Sequence, residues 1–232
     1  MSSIGQVTLD ALELVFTGDP AVWEIIGISF KTTAIAQGIS LLPALGLAFA
    51  LAHLDFPGRR VLVALFNSLL SVPAVVIGLT FYLLLSRQGP FGELRLLFSQ
   101  PAMVIGQVAL CFPILVAMQH SAFQAVELRA WETARTLGHG RFRSFWLIVR
   151  EARFGIWGAV LAGYGRIIAE VGASMMLGGN ILHYTRNIPT AIALETSKGE
   201  FAQGVALGFV LLLMAFSLNA LLHFFQGKGH QI

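Results

Sequence analysis

Residues 101–126 read PAMVIGQVALCFPILVAMQHSAFQAV, a stretch of 26 residues without a single Asp, Glu, Lys or Arg. A helix that crosses the hydrocarbon core of a bilayer needs about 20 mostly apolar residues. Because backbone polar groups in lipid must be satisfied within the segment itself, this stretch is predicted to be a transmembrane helix. The composition agrees, since 56% of the 232 residues are hydrophobic, 12% are charged and the mean hydropathy is +0.76. The chain is therefore predicted to be an integral membrane protein.

Four more stretches are long and apolar enough to cross the bilayer. They are residues 32–54, 61–86, 154–182 and 201–227. The first begins near Trp23, and the third contains the charged residues Arg166 and Glu170. Three of the five stretches carry a proline near the middle, and kinks are expected at Pro43, Pro73 and Pro113. The predicted fold is all-α and polytopic, with five transmembrane helices.

The basic residues predict the orientation, because cytoplasmic loops carry the excess of Lys and Arg. Five spans divide the connecting segments into two sets. The set that contains residues 53–60, 127–153 and the C-terminal tail holds nine Lys and Arg, and the other set holds four. We therefore expect the N-terminus outside and the C-terminus in the cytoplasm.

This topology divides the chain into three parts. Residues 1–22 form an extracytoplasmic segment, in which residues 7–16 suit a short interfacial helix. Residues 23–227 form the transmembrane domain, and residues 228–232 form a cytoplasmic tail.

The charge and cysteine content exclude several other classes of protein. The net charge of +3 comes from 15 basic and 12 acidic residues without a basic stripe, which argues against nucleic-acid binding. The single Cys111 excludes an intrachain disulfide framework and a cysteine-based zinc site. The histidines are scattered, so we predict no catalytic residue, metal site or cofactor.

The connection at residues 127–153 is unusual for a loop, because it holds nine of the chain's charged residues and yet keeps helical spacing of apolar positions. Trp131, Ala134 and Leu137 fall on one helix face, and Gly138 supplies a helix stop. The pattern predicts a short helix on the cytoplasmic membrane surface that presents an apolar knob to a partner. A basic loop that only fixes the topology accounts for the spacing equally well.

The same residues resemble a known motif. Glu132-Thr133-Ala134-Arg135-Thr136-Leu137-Gly138, followed ten residues later by Ile148, resembles the EAA loop of ABC-importer permeases, E-A-A-x-x-x-G-x9-I-x-L-P. Thr133 replaces an alanine, and Arg150-Glu151 stand where Leu-Pro is usual. In that family the loop is a coupling helix that sits in a groove of the ATP-binding subunit. The resemblance implies a coupling role for Trp131, Glu132, Ala134, Leu137, Gly138 and Ile148, and the five-helix core of a type I importer.

A second stretch narrows the resemblance to oxyanion transport. Residues 170–180, EVGASMMLGGN, are similar to the E-x-G-A-x-x-x-x-G-G-N segment of permeases for molybdate, tungstate and sulfate. Residues 150–155 and 193–201 are most similar to the tungstate branch. The resemblance implies a permease subunit that passes tungstate across the cytoplasmic (inner) membrane of a prokaryote, with molybdate and sulfate as alternatives.

The resemblance also implies the partners. They are ATP-binding subunits, an extracytoplasmic oxyanion-binding protein, a second copy of the chain and membrane lipid. The sequence contains no G-x-x-x-x-G-K-[ST] phosphate loop, so ATP hydrolysis is assigned to a partner and the chain itself is predicted not to be an enzyme. The alternative from another class is a secondary transporter driven by an ion gradient, which is expected to show inverted repeats or several paired intramembrane charges.

The charged residues within the stretch 154–182 are four positions apart, so Arg166 and Glu170 share a helix face and are expected to pair. Ionisable groups inside a span usually face a bundle interior or a wet cavity. The pair therefore either lines the translocation path or its gate, or only holds the helix in register. In both cases we expect Glu170 to be the partner of Arg166 rather than a ligand of an anion.

The segment after this helix is a candidate entrance to the path. A helix break is predicted at residues 177–180, which include Gly178, Gly179 and Asn180, and a short helix is predicted to start at Pro189. Uncharged hydrogen-bond donors suit an anion that must bind weakly enough to leave the site again. The candidate donors are Thr185, Thr190, Thr196 and Ser197. An ordinary external loop accounts for the same residues.

Overall fold

The computed structural model describes residues 19–126 and 140–227, together with Glu13 and Thr136. Apart from Glu13, the interfacial helix predicted at residues 7–16 lies outside the described residues, and so does the tail 228–232. Within the described ranges the regular structure is entirely helical.

Nine α-helices follow one another along these ranges. They are α1 (Pro20–His53), α2 (Arg59–Leu69), α3 (Ala74–Leu85), α4 (Gln100–Gln124), α5 (Arg141–Glu151), α6 (Arg153–Ile168), α7 (Gly172–Gly178), α8 (Ile188–Lys198) and α9 (Phe201–Gly227). A single 3-10 turn, Gly92–Leu94, lies between α3 and α4.

Helices α1 and α4 start at capped positions. The Asp19 carboxylate accepts hydrogen bonds from the backbone N–H groups of Ala21 at 2.9 Å and Val22 at 3.1 Å, and Pro20 occupies the first turn of α1. Both features favour a helix start, because Asp satisfies free N–H groups and Pro has none to satisfy. Each helix continues through its internal proline, Pro43 in α1 and Pro113 in α4.

The stretch 61–86, predicted as one continuous span with a kink, is two separate helices. α2 and α3 meet at an angle of 102°, and the break lies at residues 70–73. Pro73 caps α3 with extended backbone angles. Proline removes a backbone donor and excludes the helical conformation from the residue before it, so the helix ends there instead of bending gently.

The stretch 154–182 is also divided, and earlier than the sequence predicted. α6 and α7 meet at 60°, with the break at residues 169–171. The expected end near residues 177–180 is present as well, because α7 stops at Gly178 and Gly179 follows with a φ of 71°. This left-handed conformation carries little strain in glycine and commonly ends helices.

The core of the bundle lies where α1, α4 and α6 meet. Ala36, Ala44 and Leu51 of α1 pack against Cys111, Leu115 and Val116 of α4 and against Ala159 and Ile167 of α6. Near its N-terminus α1 also packs on α8 and α9, through the cluster that includes Ile25, Ile188 and Leu207. Near its C-terminus α1 packs on α4 and α5, through Phe49, Phe123 and Ile148. α1 therefore runs the full length of the described bundle.

Within the described ranges, two single helices, α1 and α4, are long and apolar enough to cross a membrane. The number rises to four if each bent pair, α2 with α3 and α6 with α7, counts as one span. In α9 the apolar segment Phe201–Ser217 is shorter than that test requires. The structure confirms an all-α protein with membrane-spanning helices, and the count of five spans stays a prediction.

Candidate functional site

Arg166 and Glu170 lie at the bend between α6 and α7. The Arg166 Nη1 group donates to Glu170 Oε2 at 2.8 Å, and the backbone N–H of Gly172 donates to Glu170 Oε1 at 2.8 Å. One carboxylate therefore joins the last turn of α6 to the first turn of α7. The Glu170 side chain is 9% exposed, whereas the Arg166 side chain is 49% exposed. The acidic member of the pair therefore lies inside the bundle, whereas the cationic member reaches the surface of the single chain.

Helix α7 is held between α3 and α4 by close contacts at glycines. A Cβ atom on Gly78 of α3 would lie 2.8 Å from the Cα atom of Ala173, and one on Gly172 would lie 2.7 Å from Val75. A Cβ on Gly106 of α4 would collide with Leu177. Small residues allow membrane helices to approach closely, and here they fix the short helix that follows the Arg166–Glu170 pair.

The segment 178–180 follows α7 and is tightly bonded. The Thr185 hydroxyl donates to the carbonyl of Gly178 at 2.5 Å, and the backbone N–H of Ile181 donates to the Thr185 hydroxyl at 2.9 Å. Asn180 has a φ of 52°, and its buried Oδ1 atom has no hydrogen-bond partner among the described residues. These residues form a folded turn against the bundle.

The predicted short helix is present as α8, and Pro189 lies in its first turn as expected. Asn187 and Thr190 form a reciprocal cap, since the Thr190 N–H donates to Asn187 Oδ1 and the Asn187 N–H donates to Thr190 Oγ1, each at 3.1 Å. Thr185 and Thr190 are both fully buried and bonded within the fold. The expectation that these two threonines line an entrance is therefore wrong for this structure, because their donors are used to hold the turn and the helix cap.

The structure does not bring all the candidate entrance residues together. Thr196 and Ser197 are exposed at the far end of α8, and a helix of 11 residues is about 16 Å long. The Ser197 hydroxyl donates to the carbonyl of Leu194 at 2.6 Å. Gly178, Gly179 and Asn180 therefore lie at one end of this region, and Thr196 and Ser197 lie at the other.

An ion-pair network on α8 was not anticipated. The Glu195 side chain is 3% exposed, and its carboxylate lies 3.1 Å from Lys198 Nζ and 3.7 Å from Arg186 Nη1. The sequence carried a weak signal, because Glu195 and Lys198 are three residues apart and share a helix face. The network ties α8 to the turn that precedes it.

A second unanticipated link joins three helices. The Gln37 side chain of α1 donates to the carbonyl of Val160 on α6 at 2.9 Å and accepts from the Cys111 thiol of α4 at 2.9 Å. No local sequence pattern predicts this link, because Gln37 lies 74 residues from Cys111 and 123 residues from Val160.

The loop residues Trp131, Glu132, Ala134, Leu137 and Gly138 lie outside the described residues. Ile148, the last position of the motif, is fully buried on α5 in the cluster with Phe49 and Phe123. The opposite side of α5 is exposed and carries two aromatic residues, Phe142 at 74% and Trp146 at 49% exposure, beside Arg143 and Arg150. A cavity of about 1010 Å³ lies at the same end of the bundle, between the α1–α2 turn and the end of α4.

Comparison with known proteins identifies the family. Residues 43–228 match the family described as "Binding-protein-dependent transport system inner membrane component". The chain belongs to this family. It is therefore an inner-membrane permease component, and the resemblance carried by residues 132–148 and 170–180 is confirmed at the level of the family.

Two relatives of the permease have the same name, "Tungstate uptake system permease protein TupB". The relative from Campylobacter jejuni is 38% identical over 217 residues, which cover 92% of this chain and 89% of that protein. The relative from Peptoclostridium acidaminophilum is 35% identical over 216 residues, which cover 93% of this chain and 95% of that protein.

A solved structure supports the fold of the permease. The structure titled "Inward facing conformations of the MetNI methionine ABC transporter" aligns with a TM-score of 0.64 at 16% identity. The alignment covers 97% of this chain and 99% of that chain. The permease therefore shares the fold of an ABC-transporter subunit over almost its whole length.

Proposed function

We propose that the permease is the membrane-spanning subunit of an ATP-driven importer that passes tungstate across the inner membrane. The similarity to two tungstate uptake permeases over more than nine-tenths of the chain carries this proposal. Molybdate and sulfate are the alternative substrates of the same chemical class, because they are also tetrahedral divalent oxyanions.

The proposed topology has five spans, with the N-terminus outside and the C-terminus in the cytoplasm. α1 and α4 are single spans, the bent pairs α2 with α3 and α6 with α7 each form one, and α9 forms the fifth. The nine basic residues in the cytoplasmic set of connections, against four in the other set, support this orientation.

In the proposed mechanism, Arg166 supplies a positive charge on the translocation path and Glu170 limits its strength. An oxyanion must be attracted well enough to enter and weakly enough to leave. The half-exposed guanidinium attracts the anion, while the buried carboxylate at 2.8 Å balances part of its charge. Residues 178–180 and 196–197 are proposed as uncharged contacts along the same route, with the Asn180 amide and the Thr196 hydroxyl as the donors, because the Ser197 hydroxyl already donates to Leu194.

The coupling site is proposed at the opposite end of the permease. The loop at residues 127–153 transmits movement from an ATP-binding subunit, with contacts from Trp131, Glu132 and Leu137. Two features of α5 support this role. Ile148 anchors the helix in the bundle, and the exposed Phe142 and Trp146 extend an apolar surface beside the loop.

The proposed assembly contains two copies of the permease, two ATP-binding subunits and an extracytoplasmic binding protein. ATP hydrolysis takes place on the partner subunits. The permease converts the closure of these subunits into a change from the inward-facing to the outward-facing state. Selectivity then resides mainly in the binding protein, since the path needs only weak sites.

The test is reconstitution of the complex in proteoliposomes with measurement of both ATPase activity and anion uptake. We expect tungstate-loaded binding protein to stimulate ATP hydrolysis and uptake, and Glu132→Ala to reduce the stimulation while binding-protein affinity for tungstate is unchanged. Glu93→Ala, an exposed acidic residue on another loop, is the matched control and should leave stimulation unchanged.

The alternatives give different results in the same experiment. Stimulation by molybdate-loaded or sulfate-loaded protein in preference to tungstate would reassign the substrate. Uptake driven by an ion gradient without ATP would contradict the importer proposal and favour a secondary transporter.

A further inference from the structure

The loop between α3 and α4 is folded tightly back on the end of α3. The backbone N–H of Phe91 donates to the carbonyl of Leu84 at 3.0 Å, and that of Gly89 donates to Ser86 at 2.8 Å. A Cβ atom on Gly89 would collide with the carbonyl oxygen of Leu83, and one on Gly92 would collide with that of Ser86. The loop is therefore a fixed turn, and the side chains that leave it have defined starting positions.

Together with residues at the end of α3, the loop lines a cavity of about 570 Å³. Leu83, Leu97 and Phe98 are apolar members of this lining. Arg87, Gln88 and Arg95 are polar members, and both arginines are exposed. The cavity therefore combines a double positive charge with an apolar surface at the end of a membrane helix.

The two guanidinium groups lack counter-charges in the part of the chain that the structure describes. Neither lies within ion-pair distance of a carboxylate, including that of Glu93 on the same loop. Arg95 also holds a φ of 50°, a conformation that non-glycine residues rarely adopt. An anion bound in this cavity would lie beside two cations that have no carboxylate partner among the described residues.

We propose that this cavity binds a tetrahedral oxyanion group, and that the group is the phosphodiester of an anionic phospholipid. Guanidinium groups bind phosphate oxygens through paired hydrogen bonds, and basic pockets beside membrane helices bind lipid headgroups. The apolar lining residues favour the lipid over a free anion. The acyl chains of a lipid can pack against these side chains, whereas a hydrated inorganic anion cannot. A free oxyanion, such as the transported one, shares the chemistry and is the other source to be tested.

The extracytoplasmic position of this loop rests on the proposed topology, whereas the lipid site itself does not require that the permease transports tungstate. The test therefore measures binding and no transport. The purified permease in phosphatidylcholine nanodiscs is titrated with phosphatidylglycerol, and bound lipid is counted by native mass spectrometry. In a second set of titrations, molybdate replaces phosphatidylglycerol. A failure to detect tungstate uptake would not change the binding result, and a failure to detect binding would not change the uptake result.

A basic residue near the membrane surface strengthens anionic-lipid binding by about fivefold, so Arg87→Ala/Arg95→Ala should weaken phosphatidylglycerol binding by about 25-fold. Each single substitution should weaken it by about fivefold, which covers the case in which the double variant fails to fold. Arg60→Ala removes an exposed cation from another part of the chain and should leave binding at this site unchanged.

Arginine-dependent binding of phosphatidylglycerol supports the lipid, and arginine-dependent binding of molybdate alone supports the oxyanion site but reassigns its source. Equal binding of both ligands to wild type and to the single variants overturns the proposal.

Discussion

Removal of either partner of the Arg166–Glu170 pair should affect stability unequally. The two side chains are joined at 2.8 Å, yet Glu170 is 9% exposed and Arg166 is 49% exposed. Arg166→Ala leaves a carboxylate inside the bundle without its counter-ion. Glu170→Gln leaves a guanidinium that already reaches solvent, and the new amide oxygen still accepts the hydrogen bond from Gly172. We therefore expect Arg166→Ala to be the more harmful substitution.

The sizes of the two effects follow from these exposures. A buried charged group that loses its partner costs about 1–3 kcal/mol or more, so about 2 kcal/mol is expected for Arg166→Ala. An ion pair with one solvent-exposed partner contributes about 0.2–1 kcal/mol, so about 0.5 kcal/mol is expected for Glu170→Gln. For a chain of this size, 1 kcal/mol corresponds to about 2–4 °C in the unfolding temperature.

The assay is thermal unfolding of the purified permease in detergent, followed by tryptophan fluorescence. Arg166→Ala should lower the unfolding temperature by about 4–8 °C and Glu170→Gln by about 1–2 °C. The double variant Arg166→Ala/Glu170→Gln should regain most of the loss, because it no longer buries an unpaired charge. Arg60→Ala, which removes an exposed cation elsewhere, controls for the change in net charge.

The reasoning is refuted if Glu170→Gln destabilises more than Arg166→Ala, or if the double variant is no more stable than Arg166→Ala. Either result would mean that the carboxylate is not the buried, dependent member of the pair. An equal loss from the Arg60→Ala control would attribute the effect to net charge rather than to burial.

Four further substitutions test the helix packing, the α8 cap and the Gln37 hydrogen bonds, each by the same unfolding measurement. Gly78→Ala places a Cβ 2.8 Å from the Cα atom of Ala173 and should destabilise by about 1–3 kcal/mol, whereas Gly38→Ala, with nothing within 4 Å, should stabilise by about 0.5–1 kcal/mol. Equal shifts for both would contradict the close contact between α3 and α7. Asn187→Ala removes the side-chain half of the α8 cap and should cost about 1 kcal/mol; no loss would mean that the cap is not stabilising. Gln37→Leu removes the hydrogen bonds to α4 and α6 and should lower the stability by about 0.6–1.7 kcal/mol. An increase in stability would show that the buried amide destabilises the fold.

Local features of this permease were predictable from the sequence. The separation of four residues predicted the pairing of Arg166 with Glu170, although Glu170 lies just beyond the end of α6 and not on the same helix, and Pro189 predicted the start of α8. Long runs without charge located α1 and α4, because burial in lipid leaves few alternatives to an apolar helix. The structure agrees with each of these predictions.

Features that depend on contacts between distant residues were not predictable. The sequence placed a proline at position 73, but the 102° angle at that point depends on how α2 and α3 pack on the rest of the bundle. Hydropathy also gave no basis for distinguishing Thr185 and Thr190 from Thr196. Only the fold shows that the first two are buried and hydrogen-bonded within the bundle. The coupling of Gln37 to Cys111 spans 74 positions and has no periodic signal.

The Gln37 side chain has a mechanical consequence for the permease. It bonds to α4 through Cys111 and to α6 through Val160, and the same three helices share the central apolar cluster. Separation of α1 from α4 or from α6 would break one of these hydrogen bonds and open a cavity in the shared cluster, so we expect α1, α4 and α6 to turn as one rigid body. We then expect the hinges at residues 70–73 and 169–171, where helices are interrupted, and the short helix α7 lies between this rigid body, which it contacts at Gly106 of α4, and the glycine-lined face of α3.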